Sequence, residues 1–486
     1  MAFATYPSAV VYKIPGQKLK KNAVQHLLWG DWLKPLGSVE GEWVEVRARG
    51  ETGWMHRDDI QEDRLLEVNF VDIGQGDGCL LVTPEDKFIV IDAGEVDNMY
   101  RFLRWRFGGF KERFTFESAV ITHPDQDHYK GFKPLFEAPN VHFGTVFHNG
   151  IVERNEKETL GPRTKTGRPR YLTDVISDRE ALQTIIGNPE KTGKKNYPNL
   201  LKTASGSGRV GDIRMLCAED GFVPGYGPDK SLRMRVLGPV PEKGPAGERW
   251  LRWFGSVGET KNGHSVILQV RYGLVTLMLG GDLNSASEKY LLEHYTGLDP
   301  KPRSTVEEEM LVRAARQTFA SDIAKACHHG SGDFSEIYLQ TLDAAVTVLS
   351  SGDNEPYSHP RPDALGALGK YGRGLRPLIF STELARSAKE NIKHPYQLRA
   401  RIKALVEALA RAETESQRNT IQKQLDTEIS KLERSIAVYG MINLRTDGQK
   451  VVLAQKLEQP RSKADKWDIH RLEPGPDGCL RYVSKH

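Results

Sequence analysis

Long apolar runs are missing from this sequence. No stretch among its 486 residues approaches the ~18–20 apolar residues of a membrane-crossing helix, which argues against a helical channel. The opening MAFATYPSAVVYKIPGQ has no basic start leading into an apolar stretch, so no secretory signal is expected. Cysteine is scarce. Cys79, Cys217, Cys327 and Cys479 lie far apart with no C-x-x-C pair, which excludes a disulfide-stapled scaffold. Buried free thiols in a reducing compartment are expected, and with them a cytoplasmic protein outside the membrane. A charge excess is missing too. Sixty-eight basic residues against 64 acidic leave a net charge of +4, too mild by itself to imply nucleic-acid binding. Any basic surface must come from local clusters. What remains, 38% hydrophobic and 27% charged, allows a folded core. The length suggests two to four domains.

Residues 1–64 read as short strands: Val10–Tyr12, His26–Leu28, Trp43–Val46 and Gly53–Met55. Gly41-Glu42-Trp43-Val44-Glu45-Val46-Arg47 and Gly50-Glu51-Thr52-Gly53-Trp54-Met55 form a hairpin pattern turning between Arg47 and Glu51. The pattern resembles the GxWxxVR…GxxGWV signature of bacterial SH3-like domains, which implies a small all-β barrel. Its Trp29, Trp32, Trp43 and Trp54 would divide between a core and a groove. A protein or peptide partner and a packing or oligomerisation role both remain open.

A second unit starts at Leu65. Leu66–Ile73 alternates as a half-buried strand, the turn Gly74–Gly78 follows, and Cys79–Val82 and Phe88–Gly94 are strands. Met99–Phe107 reads as a helix and Ser118–Thr122 as a buried strand. Strands alternating with helices predict a layered α/β fold over residues 65–382. Residues 150–215 read as polar surface loops, with basic clusters at 163–170 and 191–195. Leu232–Leu237 is a strand, and Val266–Val270 with Val275–Leu279 a hairpin. Apolar positions Leu398, Ile402, Leu405, Leu409, Ile421, Leu425, Ile429, Leu432 and Ile436 predict a helical hairpin within an insertion at 383–438. It would pack on the body or support a homodimer. Residues 439–457 read as a closing β-hairpin and 458–486 as a featureless tail.

The chemistry concentrates in His123-Pro124-Asp125-Gln126-Asp127-His128, at the end of a buried strand. Two imidazoles and two carboxylates so close compete unless a cation organises them. Imidazole with carboxylate suits Zn²⁺, Mn²⁺ or Fe²⁺. Further candidates follow later apolar strands: Gly281-Asp282, Cys327-His328-His329-Gly330-Ser331 and Ser358-His359-Pro360. A sheet whose strand ends all deliver His or Asp to one edge describes a site, not a core.

Phe70-Val71-Asp72-Ile73-Gly74-Gln75-Gly76-Asp77, Ile89–Gly94, Thr122–His128, Gly281-Asp282, His328–Ser331 and Tyr357–Pro360 occur in the order found in the metallo-β-lactamase domain of the ComEC-type DNA-uptake proteins. The chain resembles that domain over about residues 66–382, and again near 440–454. The resemblance implies an αββα sandwich and a hydrolase with two divalent metal ions, zinc or manganese. It implies His123 and Asp125 on one metal, Asp127 and His128 on the other, Asp282 bridging, and His359 completing the second site. His264, 18 residues before Asp282, would be either a further ligand or a loop histidine. The metals would activate a water. Asp127 would help neutralise them, and His328 or His329 would serve the leaving oxygen, with Ser331 assisting. Asp77 and Asp92 would orient ligands. The expected activity is a phosphodiesterase or nuclease on DNA or RNA. A small-molecule hydrolase, and a binding protein with a vestigial site, are the alternatives.

Overall fold

The computed structural model of the chain describes residues 1–352, 357–382, 395–438, 440–457 and 460–484. Two sheets face each other across one core. The larger has ten strands, in the order Val210–Met215, Val141–His148, Phe114–Val120, Phe88–Ala93, Gly78–Val82, Leu66–Phe70, Ile442–Thr446, Val451–Lys456, Trp467–Pro474, Leu480–Val483. Its first four strands are parallel and the rest pair antiparallel. The smaller sheet runs Leu232–Gly238, Ile267–Tyr272, Val275–Leu279, Ile323–Lys325, Val346–Leu349, Leu378–Ser381, with its last four strands parallel.

Strand periodicity explains the layers. Alternate residues of one strand feed different cores, because successive side chains leave a strand on opposite faces. Val68, Phe70, Leu81, Ile89 and Ile91 meet Met234, Val236, Leu268, Leu277, Val346 and Val348 between the sheets. Leu80, Val90, Phe116 and Ala119 turn outward onto the helix Asn98–Arg106 and onto helices at 133–206. On the other side, Ile267, Met278 and Ala324 pack on the helices Ser285–Thr296 and Thr305–Phe319. The expected α/β layering is present.

Several readings need correction. Residues 150–215 are not all surface loop. Arg179–Ile186 and Asn196–Gly206 are helices that bury Leu182, Ile185, Ile186, Tyr197, Leu200, Leu201 and Ala204. That three-and-four spacing was present in the sequence, masked by the Lys, Gly and Thr around it. The segment after Glu458 is not featureless either, since Trp467–Pro474 and Leu480–Val483 extend the large sheet. Of the cysteines, Cys79 and Cys217 are buried and all four are free, but Cys479 is exposed.

The N-terminal region is all-β, as expected. Its seven strands run in an open order from Ala23–Leu28 to Ile60–Gln61, so no closed barrel forms among the described residues. The reason lies at the end strand. Instead of closing on its own sheet, His26 takes hydrogen bonds from the Lys466 amide (3.0 Å, at Nδ1) and the Trp467 indole (3.1 Å, at the carbonyl). Leu28, Trp29, Leu65, Val452, Ala454 and Trp467 then form a shared apolar seam. Beside it, Glu67 receives Arg106 (2.8 Å) and Arg445, while Arg49 grips Asp31 with two bonds of 2.8 Å.

The helical hairpin is Pro395–Arg411 and Glu415–Val438. The second helix packs on Asn98–Arg106, which favours the body-packing reading. Leu398 and Leu425 are buried. Residues 383–394 of the expected insertion, and the side chains of Leu432 and Ile436, lie outside those described.

Candidate metal centre

The two sheets bring their strand ends to one edge. Asp92 ends Phe88–Ala93, and Thr122-His123 follow Phe114–Val120. Asp282 follows Val275–Leu279, His328-His329 follow Ile323–Lys325, and Asp77 precedes Gly78–Val82. Ligand sites of open α/β sheets occur at such carboxyl ends.

Local structure holds each group. The turn Gly74–Gly78 docks on the histidine motif, where the Asp77 amide donates to the Asp127 carbonyl at 3.2 Å. Gly76, at φ +102°, is required there, because a Cβ would overlap that same carbonyl. Asp282 is fixed by the helix behind it. Asn284 caps Ser285–Thr296 by accepting from the Ser287 amide (3.0 Å), and the Ser287 hydroxyl accepts from the Asn284 amide (3.0 Å). His328 and His329 both adopt left-handed backbone, φ 48° and 54°. Such strain costs ~1–3 kcal/mol per residue and collects at functional sites. Here it separates the rings. His329 is buried among the carboxylates, and His328 lines the open cleft.

At the centre, His128 Nε2 and His329 Nε2 both stand 3.2 Å from Asp282 Oδ2. His329 Nε2 is 3.5 Å from Asp127, and the His123 and His128 rings lie 4.1 Å apart. The far nitrogens are committed. His128 Nδ1 faces Asp92 Oδ2 at 2.8 Å, and His329 Nδ1 faces the Ser350 carbonyl at 2.9 Å. Each Nδ1 therefore carries its hydrogen, which leaves Nε2 as the inward atom that could ligate. Neither Nε2 has a hydrogen-bond partner among the described residues, and both are buried. Thr122 braces Asp92 through its amide (2.8 Å) and hydroxyl (2.7 Å).

The electrostatics follow. Burial alone would depress the His128 and His329 imidazoles, but Asp282, with Asp92 and Asp77, holds both well above the ordinary histidine range. Burial would raise Asp282 and Asp127, yet the facing histidines hold both low. The cluster demands positive charge, as protons or as a metal ion. His123, His128 and Asp282 form one set of converging ligand atoms that could hold a metal ion, and Asp127, His128 and His329 another. Asp77 joins two further sets.

Not every expected residue arrives there. Asp125 is in none of these sets among the described residues. Its Oδ1 is held by Lys261, and its Oδ2 lies 3.5 Å from His123 Nε2. His123 and Lys261 offset its burial and bring its carboxyl to about 2. His264 points elsewhere: its Nε2 meets the Arg252 carbonyl at 2.6 Å, its ring packs on Phe254, and burial lowers it to about 4. The loop-histidine alternative describes that placement. His359 sits on the cleft wall, stacked on Tyr357 and 5.6 Å from the His328 ring. Ser331 lines the same cleft.

One central residue escaped the sequence reading. Lys325 is buried, and its ammonium meets Asp77, the Gly281 carbonyl (3.0 Å) and Asp282 Oδ1 (3.6 Å). It orients Asp282 so that Oδ2 faces the histidines. The only available signal was a lone lysine in an apolar strand.

The cleft above the centre measures about 820 Å³. Lys194, Lys195 and Lys261 line it together with Asp125, Asp127, Glu153 and Asp282. The basic cluster at 163–170 is not on this wall. Arg163 lies over the Trp253 ring at 4.1 Å instead.

No protein-family model matches the chain. The chain is similar to ComE operon protein 3 of Bacillus subtilis (strain 168), 21% identical over 323 residues. The match covers 63% of this chain and 31% of that protein, so the chain spans about a third of that relative. No described helix is long and apolar enough to cross a membrane.

Proposed function

We propose that this chain is a metal-dependent hydrolase of the metallo-β-lactamase fold that cleaves phosphodiester bonds in DNA or RNA. The observation that carries this reading is the pair of inward Nε2 atoms of His128 and His329, converging on Asp282 from two different sheets. Helices outside two facing sheets are the layers that fold requires, and the resemblance to the ComEC-type domain points the same way.

His128, His329, Asp282, Asp127 and His123 would hold the ion, zinc or manganese by the chemistry of the set. When bound, a divalent ion supplies Lewis acidity toward water and a phosphoryl oxygen. The chain's own groups do the rest. Asp92 and the Ser350 carbonyl keep the two imidazoles in the ligating tautomer. His328, which burial keeps below the ordinary histidine range, lines the cleft and would exchange the proton of the leaving oxygen. Lys194 and Lys195 line the cleft and would meet the flanking phosphates. The N-terminal sheet is an SH3-like module for a peptide or protein partner, and the protein is cytoplasmic.

The test is hydrolysis of single- and double-stranded DNA, RNA and bis-p-nitrophenyl phosphate with Mn²⁺ or Zn²⁺, beside Asp127→Ala. Polymer cleavage lost in the variant is expected. Turnover of the small ester alone would favour a small-molecule hydrolase. No turnover of any substrate would refute the reading.

A further inference from the structure

The sequence motif supplies four polar groups, but the fold treats one of them differently. His123, Asp127 and His128 all join converging sets, and Asp125 does not. A cation supplied by the chain itself already stands on Asp125. Lys261 comes from the helix Val257–Gly263, which Ser256 caps through the Glu259 amide at 3.1 Å. The Thr260 hydroxyl secures that helix further, donating to the Ser256 carbonyl (2.7 Å) and accepting from the Phe254 amide (3.0 Å).

The Lys261 side chain is only 13% exposed. Its ammonium meets Asp125 Oδ1, Glu153 Oε1 at 3.4 Å and the Pro124 carbonyl at 3.4 Å. Three acceptors for three N–H donors make a completed site, not a passing surface pair. With its amide turned to donate, Asn262 reaches the other oxygen, Asp125 Oδ2, at 2.7 Å. Both Asp125 oxygens are therefore engaged, one by a fixed positive charge. A divalent ion there would have to displace that ammonium or bear its repulsion at close range.

The inner group is built otherwise. Lys325 approaches Asp282 at Oδ1 (3.6 Å), while Oδ2 faces the histidines. One lysine orients a ligand while the other occupies a ligand's place.

We propose that Lys261 is the resident cation of the outer half of the centre, so that the chain binds one divalent ion, at the inner group, instead of two. The inference rests on the metal reading above, and the experiment separates the two. Metal-stripped protein is equilibrated with Mn²⁺, and in parallel with Zn²⁺, and bound metal is counted by mass spectrometry. One ion per chain is expected. Two would overturn the proposal and leave the metal reading intact. None would overturn both. Lys261→Met is expected to bind two, falling back to one in Lys261→Met with Asp125→Asn. A Lys261→Met protein that folds and still binds one overturns the proposal. Asp125→Asn in the otherwise native chain needs no change at Lys261. It should still bind one ion, since Asp125 is not among the ligands of the inner group, and a variant that folds and binds none would refute the assignment.

Discussion

Metal binding to this centre should expel protons, and the number is legible in the geometry. In the metal-free protein, the two inward nitrogens of His128 and His329 lie 3.2 Å from Asp282, which favours a proton on each. Both imidazoles are held well above their ordinary range. Asp282 and Asp127 are held low and have no proton to lose. Binding at pH 7 should therefore release close to two protons per ion, because a ligating imidazole must be neutral at the donor nitrogen. Each proton is worth about 1.4 kcal/mol per pH unit. Affinity should thus tighten up to ~100-fold per pH unit below the raised imidazole values and level off once those imidazoles deprotonate. Titration calorimetry in two buffers of different ionisation enthalpy counts the protons directly. Affinity flat between pH 6.5 and 8, with no proton release, would refute the reasoning. The same linkage governs the metal-free fold. Above about 6.5 the unfolded chain has lost imidazole protons that the folded chain retains. Stability without metal should then fall as pH rises through the folded values, and added metal should restore it.

Asp92→Ala removes the acceptor that fixes the His128 tautomer, and should weaken metal binding by ~10–100-fold while the fold persists; an unchanged affinity in competition with a chelator would count against the role. Glu67→Gln leaves Arg106 and Arg445 facing each other without their shared carboxylate, and should cost ~3–5 kcal/mol in urea unfolding, so a loss below ~1 kcal/mol would mean the pair is solvent-screened. Burial would raise the Glu67 carboxyl, but Arg106 and Arg445 hold it well below the ordinary range. Its contribution is full above the unfolded value of about 4.3 and fades as pH falls. The gap between wild type and variant should narrow accordingly in acid.

Much of the site could be read from spacing, because ligands placed directly after buried strands announce themselves. His123, Asp127, His128, Asp282 and His329 each follow such a strand, and the fold brings them together. Asp77 and Asp92, read as groups that orient ligands, stand beside His329 and His128. Asp125 and His264 fit the spacing equally well and do not converge. What separates them is a lysine more than 130 residues from the motif in one case, and a main-chain carbonyl in the other. Periodicity found the hairpin at 395–438 but missed Arg179–Ile186 and Asn196–Gly206, where the apolar positions are few and the intervening residues strongly polar. The strands after residue 466 were missed for a different reason. Leu480–Val483 is the sheet's edge and buries little, so its composition resembles a loop; it pairs with Trp467–Pro474, whose own partner is the strand Val451–Lys456.

The sequence by itself determined which groups can carry chemistry here and the layered α/β class, because strand periodicity and the position of His and Asp after apolar runs are local properties. Only the tertiary structure decided which of those groups meet. It set His329 inward and His328 toward the cleft, brought Lys325 beneath Asp282, and put Lys261 on Asp125. Those outcomes depend on how two sheets face each other and on where a helix is capped, and no local pattern encodes a distance between residues so far apart in the chain.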